Sequence, residues 1–186
     1  MCAPHLWVKQ NIMTNTQIKL TPQGYSTVTP WIVSPSTAKL IDFLTGAFGA
    51  EEIPHSRITN EEGCIIHVVV KIGDSLIMLF DSRKCWGPTP ALLNLYVADV
   101  EDTYNKALDL GATSVTDITT LYFGEKVCRI IDPFGNLWWL NQRVEEVDFT
   151  NAEDMQRRAS TPEAIAGVAY IQSSLNDAML RQKDFF

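Results

Sequence analysis

The strongest constraint on how this chain folds is an internal repeat. Gly-Ala pairs beginning at Gly49 and Gly111 stand 62 positions apart, as do Gly73 and Gly135, and Cys64 and Cys128 stand 64 apart. The order of apolar patterns between these landmarks repeats as well, which is the signature of a duplicated module. In the first copy VTPWIV, Val28 to Val33, reads as a strand. SPSTAKLIDFLTGAFGA then sets Leu40, Ile41, Phe43, Leu44 and Phe48 at helical spacing, offers Ser34 or Ser36 as N-cap, and stops at Gly49. Three strands follow, EEIPHSRI, CIIHVVVKI and SLIMLFD, the last two joined by the turn signal Gly73-Asp74. The second copy runs ALLNLYV, a helix DVEDTYNKALDLGA capped by Asp99 and stopped by Gly111, then TSVTDI, EKVCRII and NLWWLNQ, with the turn Asp132-Pro133-Phe134-Gly135 before the last strand.

The expected fold is therefore α+β, two tandem βαβββ modules over residues 25–90 and 91–147. An aperiodic arm precedes them at 1–24, and a helical extension follows at 148–186. In that extension Thr161-Pro162-Glu163 is a helix start, and Ile165, Val168, Ile171 or Gln172, Leu175 and Met179 form an apolar stripe expected to dock on the body.

Composition removes several function classes. The chain carries 22 acidic against 15 basic residues, a formal charge of -7, which repels a phosphate backbone or an anionic bilayer, so no nucleic-acid or membrane partner is expected. CIIHVVV and SLIMLF end after six or seven apolar residues, far short of the roughly 20 that span a bilayer. No basic segment followed by an apolar one opens the chain, so a cytoplasmic location is expected. Cys2, Cys64, Cys85 and Cys128 are dispersed without a CxxC pair, which fits reduced thiols better than a structural zinc knot.

The stretches VTPWIVSPSTAKLIDFLTGAFGAEE, HVVVKIGDSLIMLFD, LYVADVEDTYNKALDLGA and FGEKVCRIIDPFGNLWWL, in that order, resemble the vicinal oxygen chelate superfamily of glyoxalases, bleomycin-resistance proteins and extradiol dioxygenases, and within it the PhnB-like branch. The resemblance spans about Tyr25 to Arg143. It implies that the two modules curl mixed sheets around a central cavity and that the protein pairs as a homodimer. Function does not follow from the fold, because it hosts many chemistries.

In metal-using members of that superfamily, ligands come from the first and last strand of each module, and those places fall on Thr29, Met78, Leu92 and Trp139. That set lacks the imidazole, carboxylate or thiolate donors that zinc, iron or magnesium require, so no metal and no other cofactor is expected. His67, His55, Cys64, Asp81 and Glu125 show no shared-ligand spacing either, and Glu125 beside Lys126 reads as a surface ion pair.

Counting by twos from the former ligand places gives the lining of the implied cavity. It comprises Thr29, Trp31 and Val33; Leu76, Met78 and Phe80; Leu92, Asn94 and Tyr96; and Leu137, Trp139 and Asn141, with Tyr122 and Phe123 as a wall. Aromatic area with a few polar points is the usual make-up of a small-molecule site. The leading expectation is a metal-independent binder of a small aromatic or hydrophobic ligand, cationic or neutral rather than anionic. The alternative is a cofactor-free isomerase, lyase or cyclase acting on a hydrophobic metabolite, with His67 as general base. A third reading is a structural dimer that uses the C-terminal helix as its partner surface.

Overall fold

The structure is a computed structural model that describes residues 18–181; most of the expected arm, Cys2 included, lies outside them. Along the chain run β1 (Trp31–Ser34), α1 (Thr37–Phe48), β2 (Glu51–Glu52), β3 (Ile58–Thr59), β4 (Ile65–Ile72), β5 (Ser75–Asp81), β6 (Leu92–Tyr96), α2 (Val100–Asp109), β7 (Thr113–Leu121), β8 (Glu125–Ile131), β9 (Leu137–Arg143), α3 (Ala152–Ala159) and α4 (Pro162–Arg181). The fold is α+β with two mixed sheets and no closed barrel. One sheet has the order β1-β5-β4-β2 with β3 also on β4, and the other has the order β6-β9-β8-β7. In each, the module's first strand pairs parallel with its last and the rest pair antiparallel.

Two local expectations shift. The first strand begins at Trp31 rather than Val28, and EEIPHSRI breaks into the two short strands β2 and β3 around His55, whose φ of 62° turns the chain. The cap of α1 also comes from elsewhere. Ser36 makes no side-chain cap bond; instead the Thr37 N–H donates to Asp81 Oδ1 at 2.7 Å, across 44 residues. Asp81 Oδ2 accepts from the Ile65 N–H at 2.7 Å, so one carboxylate ties the start of α1 to the start of β4. In the second module the expectation holds: Asp99 Oδ1 accepts from the Asp102 N–H at 3.0 Å, and Gly111, at φ 94°, follows the end of α2.

Each sheet turns alternate residues toward its helix. Ile32, Val68, Val70, Ile77 and Leu79 of the first sheet pack under Leu40, Phe43 and Leu44 of α1, and Cys128, Ile130, Trp138 and Leu140 of the second belong to the same continuous core. Phe48 of α1 meets Trp138 at 4.8 Å between ring centroids, so the modules join through their helix-bearing sides. The other face of each sheet therefore points away from the join.

The turn DPFGN fixes Trp138 in that core. Asp132 Oδ1 accepts from the N–H groups of Phe134 and Asn136, both at 2.9 Å. Its Oδ2 accepts from Asn136 Nδ2 at 2.8 Å and from Trp138 Nε1 at 2.9 Å. Trp138 is 1% exposed with its polar atom satisfied, whereas its neighbour Trp139 faces the opposite way.

The C-terminal helix is present, with a different inner face. Ala164, Gly167, Ile171, Ser174 and Ala178 are buried, while Ile165 and Met179 of the expected stripe are exposed. Small residues let the helix lie close: a Cβ added at Gly167 would stand 3.2 Å from Leu121 Cδ2. Ile171 packs with Leu121 and Val127, and Ala178 with Ile131 and Leu137, so α4 covers the away-facing side of β7 and β8. Covered by α4 on one side and the shared core on the other, β8 is buried along nearly its whole length.

Candidate functional site

The expected lining residues gather in two groups, one on each sheet. On the first sheet the register pairs Trp31 with Met78 and Val33 with Phe80, placing them on the side away from α1. Trp31 meets the His67 ring at 5.5 Å and the Phe80 ring at 5.3 Å, and Trp86, from the loop after β5, meets Phe80 at 5.8 Å. These rings face solvent: Trp31 is 47% and Trp86 40% exposed. Trp31 and Phe80 border a hollow of about 770 Å³ together with Ile66, Asp81 and Arg83. Arg83 stands 5.9 Å over the Trp86 ring. Sequence reasoning missed Trp86, because it lies in no strand and β alternation is silent about loops. Thr29 lies before β1, its hydroxyl donating to the Ser26 carbonyl at 3.3 Å, and takes no part in the ring cluster.

On the second sheet the register sets Asn94 beside Trp139 and Trp139 beside Arg129, then Tyr96 beside Asn141 and Asn141 beside Val127. Asn141 Nδ2 donates to Asn94 Oδ1 at 2.6 Å and to the Trp139 carbonyl at 3.1 Å. The Tyr96 hydroxyl donates to Glu125 Oε1 at 3.3 Å. Glu125 is 8% exposed rather than in a surface pair, and Lys126 bonds Glu101 instead, at 3.0 Å. Strand alternation is the reason: Glu125 shares the face of Val127 and Arg129, and Lys126 takes the other. Leu92 and Tyr96 on the edge strand are exposed, Tyr96 to 60%. Phe123 packs between Leu121, Val127 and Trp139, and Tyr122 stands edge-on to it at 5.4 Å, so the expected wall belongs to this group. Asn94 and Tyr96 also border a second hollow of about 810 Å³ along the seam of the modules, with Phe48, Leu76 and Trp138.

The register does not set the four expected ligand places opposite one another. Met78 lies opposite Trp31 rather than Thr29, and Trp139 opposite Asn94 rather than Leu92. Two indoles, a thioether and an amide do not fit a divalent cation of the kind the fold's metal-using members hold. Among the described residues no cluster of three or more His, Cys, Asp or Glu side chains exists elsewhere. Asp81, a candidate by type, is committed to two backbone N–H groups. Among the described residues, no helix is long and apolar enough to cross a membrane.

Two βαβββ modules, each closing its sheet by a parallel pair of first and last strands, define the glyoxalase-like class of fold. Residues 26–140 match the model of the Glyoxalase/Bleomycin resistance protein/Dioxygenase superfamily, and the chain belongs to that superfamily. An uncharacterized protein of Mycobacterium bovis is 32% identical over 145 residues, 72% of this chain and 92% of that protein. Its counterpart in Mycobacterium tuberculosis strain H37Rv is 32% identical over the same length, 82% of that protein. Among solved structures, TioX from Micromonospora sp. ML1 matches with a TM-score of 0.51 at 18% identity, over 66% of this chain and 100% of TioX. A PhnB protein from Bacillus cereus matches with a TM-score of 0.51 at 21% identity, over 63% of this chain and 99% of that one. At these identities the two structures speak for the fold.

Proposed function

We propose that this protein is a metal-independent binder of a small aromatic or hydrophobic molecule. The observation that carries the reading is the 770 Å³ hollow bordered by Trp31 and Phe80, with His67 packed against Trp31 and Trp86 against Phe80. Exposed indoles at a concave mouth lose water on contact with a flat guest, and stacking adds about 0.5–1.5 kcal/mol per ring beyond the area buried. The formal charge of -7 favours a neutral or cationic body for that guest. The lack of imidazole, carboxylate and thiolate at Thr29, Met78, Leu92 and Trp139, the ligand places that the resemblance implies, supports independence from a cation.

The reading includes a homodimer. Trp31 on one sheet and Leu92 and Tyr96 on the other remain exposed on faces turned away from the shared core, which supports their being covered by a second copy of the chain. Free thiols at Cys64, Cys85 and Cys128 support a cytoplasmic setting.

Calorimetric titration with 1-naphthamide, with and without EDTA, tests the binding. Saturable uptake indifferent to chelator is expected, and Trp31→Ala or Phe80→Ala should each weaken it by about 2- to 13-fold, the equivalent of one lost ring contact. Uptake that needs an added divalent metal, or that ignores both substitutions, refutes the reading. A second, catalytic reading rests on His67, whose ring beside Trp31 places a titratable base next to any guest stacked there. It requires turnover that His67→Ala abolishes while naphthamide binding persists.

A further inference from the structure

The helix-covered half of the second sheet contains a charge that the fold does not neutralise. Arg129 projects from the middle of β8 and is 2% exposed. Its guanidinium lies over the Trp139 ring at 4.0 Å, and one terminal nitrogen donates to the Ile171 carbonyl of α4. Its Nε has no hydrogen-bond partner, and neither does the buried Nε1 of Trp139 beside it. No acidic side chain pairs with Arg129 among the described residues, and desolvation lowers its pKa.

Burying an arginine this way is costly. An unpaired buried cation sacrifices several kcal/mol of hydration, and each unmet N–H adds about 1–3 kcal/mol. A carbonyl already inside a helix is a poor recompense, since it carries no charge. The stack on Trp139 and the bond to Ile171 offset part of this cost, about 2 kcal/mol for a desolvated cation over an indole, and leave the Nε–H and the net charge unmet. The unmet groups share one chemistry: both are donors, one from a cation and one from the indole it lies over, buried between sheet and helix. The matching guest group is an anionic acceptor, and a planar carboxylate fits the fork of an arginine in two parallel bonds.

The geometry points to an oxyanion subsite formed by Arg129 and Trp139 on the second sheet, covered by α4, which receives the carboxylate of an aromatic or hydrophobic acid. Resting on the reading that this protein takes up small molecules, the subsite lies on the second sheet, apart from the ring cluster of the first, and is a second place for a guest rather than an extension of that hollow. The local cation overrides the general preference of an acidic protein for neutral or cationic ligands, because Coulomb attraction in a desolvated site outweighs a screened surface field. Helix α4 holds the place of the ligand: its Ile171 carbonyl occupies a donor that the carboxylate would take. The helix contacts the sheet through the small residues Gly167, Ser174 and Ala178 and the larger Ile171 and Leu175, so a shift that frees Arg129 must uncover the Ile171 contact with Leu121 and Val127. Entry of the acid therefore requires α4 to shift.

The test compares 1-naphthoate with its neutral isostere 1-naphthamide, using the full chain. The acid is expected to bind at least tenfold more tightly to the wild type. Arg129→Met should abolish that preference while naphthamide affinity stays within about twofold. In a ¹⁵N–¹H spectrum the Trp139 indole N–H should move downfield with naphthoate and stay put with naphthamide. Ile171→Ala, which loosens the helix, should raise naphthoate affinity and speed amide exchange along α4. Equal affinity for the two probes, or a preference that survives Arg129→Met, overturns the subsite and leaves the aromatic-binding reading standing. Failure of both probes to bind at millimolar concentration overturns both. If Arg129→Met does not fold, the Trp139 resonance in the wild type decides alone: no shift with saturating naphthoate refutes the subsite.

Discussion

Asp81→Ala is the substitution that most sharply separates a reading of the local sequence from the folded structure. Locally, Ser36 is the natural cap of α1, and its removal would cost about 0.5–2 kcal/mol if it capped. The structure gives Ser36 no such bond and assigns the work to Asp81, which accepts from two backbone N–H groups at 2.7 Å each. A hydrogen bond to a charged acceptor contributes about 1.5–3 kcal/mol, and Asp81 is partly solvated, so the lower figure applies to each. Losing both amounts to about 3 kcal/mol. At an m-value of about 2 kcal/mol/M, the urea midpoint falls by about 1.5 M. Asp81→Asn keeps one good acceptor and should lose about half as much, and Ser36→Ala less than about 0.5 kcal/mol. Urea unfolding of the three variants, followed by circular dichroism with m held common, reads the result. Ser36→Ala matching Asp81→Ala, or Asp81→Ala costing under about 1 kcal/mol, would show that the carboxylate does not join α1 to β4 as described.

Three further outcomes check other parts of the account. Burial raises the Asp132 carboxyl above its ordinary value, with the donations from Trp138 and Asn136 pulling the other way. The folded state thus holds that proton more tightly than the unfolded chain, so this group's contribution is greatest below about pH 4 and declines as pH climbs through the raised value. The stability gap between wild type and Asp132→Asn should shrink over that window in pH-stepped urea melts, and a gap that widens contradicts the assignment. Gly124→Ala should destabilise by about 2–4 kcal/mol, because φ is 81° and the new Cβ would stand 2.7 Å from Val147 Cγ2 and 2.9 Å from the Glu145 carbonyl. Gly63→Ala, at φ 82° in open space, should cost only about 1–2 kcal/mol in the same melts. Burial pushes the Cys128 thiol up to about 12, so peptide mapping after brief iodoacetamide treatment at pH 8 should find Cys64 and Cys85 alkylated and Cys128 untouched.

The repeat was legible because both periodicities it contains are local: alternation in the long strands and a 3.6-residue period in α1 and α2. Asp99, Gly73, Gly111 and Gly135 act where local rules place them. What escaped depends on distance along the chain or on the absence of an apolar signal. Asp81 reaches a helix 44 residues away, which no capping rule anticipates. Helix α3 buries no residue and has no stripe; its visible signs were the cap Asn151, whose Oδ1 accepts from Asp154 N–H, and acidic-then-basic ends. The inner face of α4 was misjudged by about one position because hydrophobicity favoured Ile165 and Met179, while close approach to a sheet favoured Gly167, Ser174 and Ala178. Arg129 was the one legible warning overlooked: a lone cation inside the buried run EKVCRII needs a reason to be there.

The central claim is that Trp31 and Phe80 at the 770 Å³ hollow, backed by Trp86 against Phe80, recognise a flat guest without a metal. The indole N–H resonances of Trp31 and Trp86, followed during titration with 1-naphthamide in the presence of EDTA, test it most directly. Both should move saturably with one common dissociation constant, while the buried Trp138 indole holds its position. Stationary Trp31 and Trp86 signals that respond only once a divalent cation is supplied would contradict it.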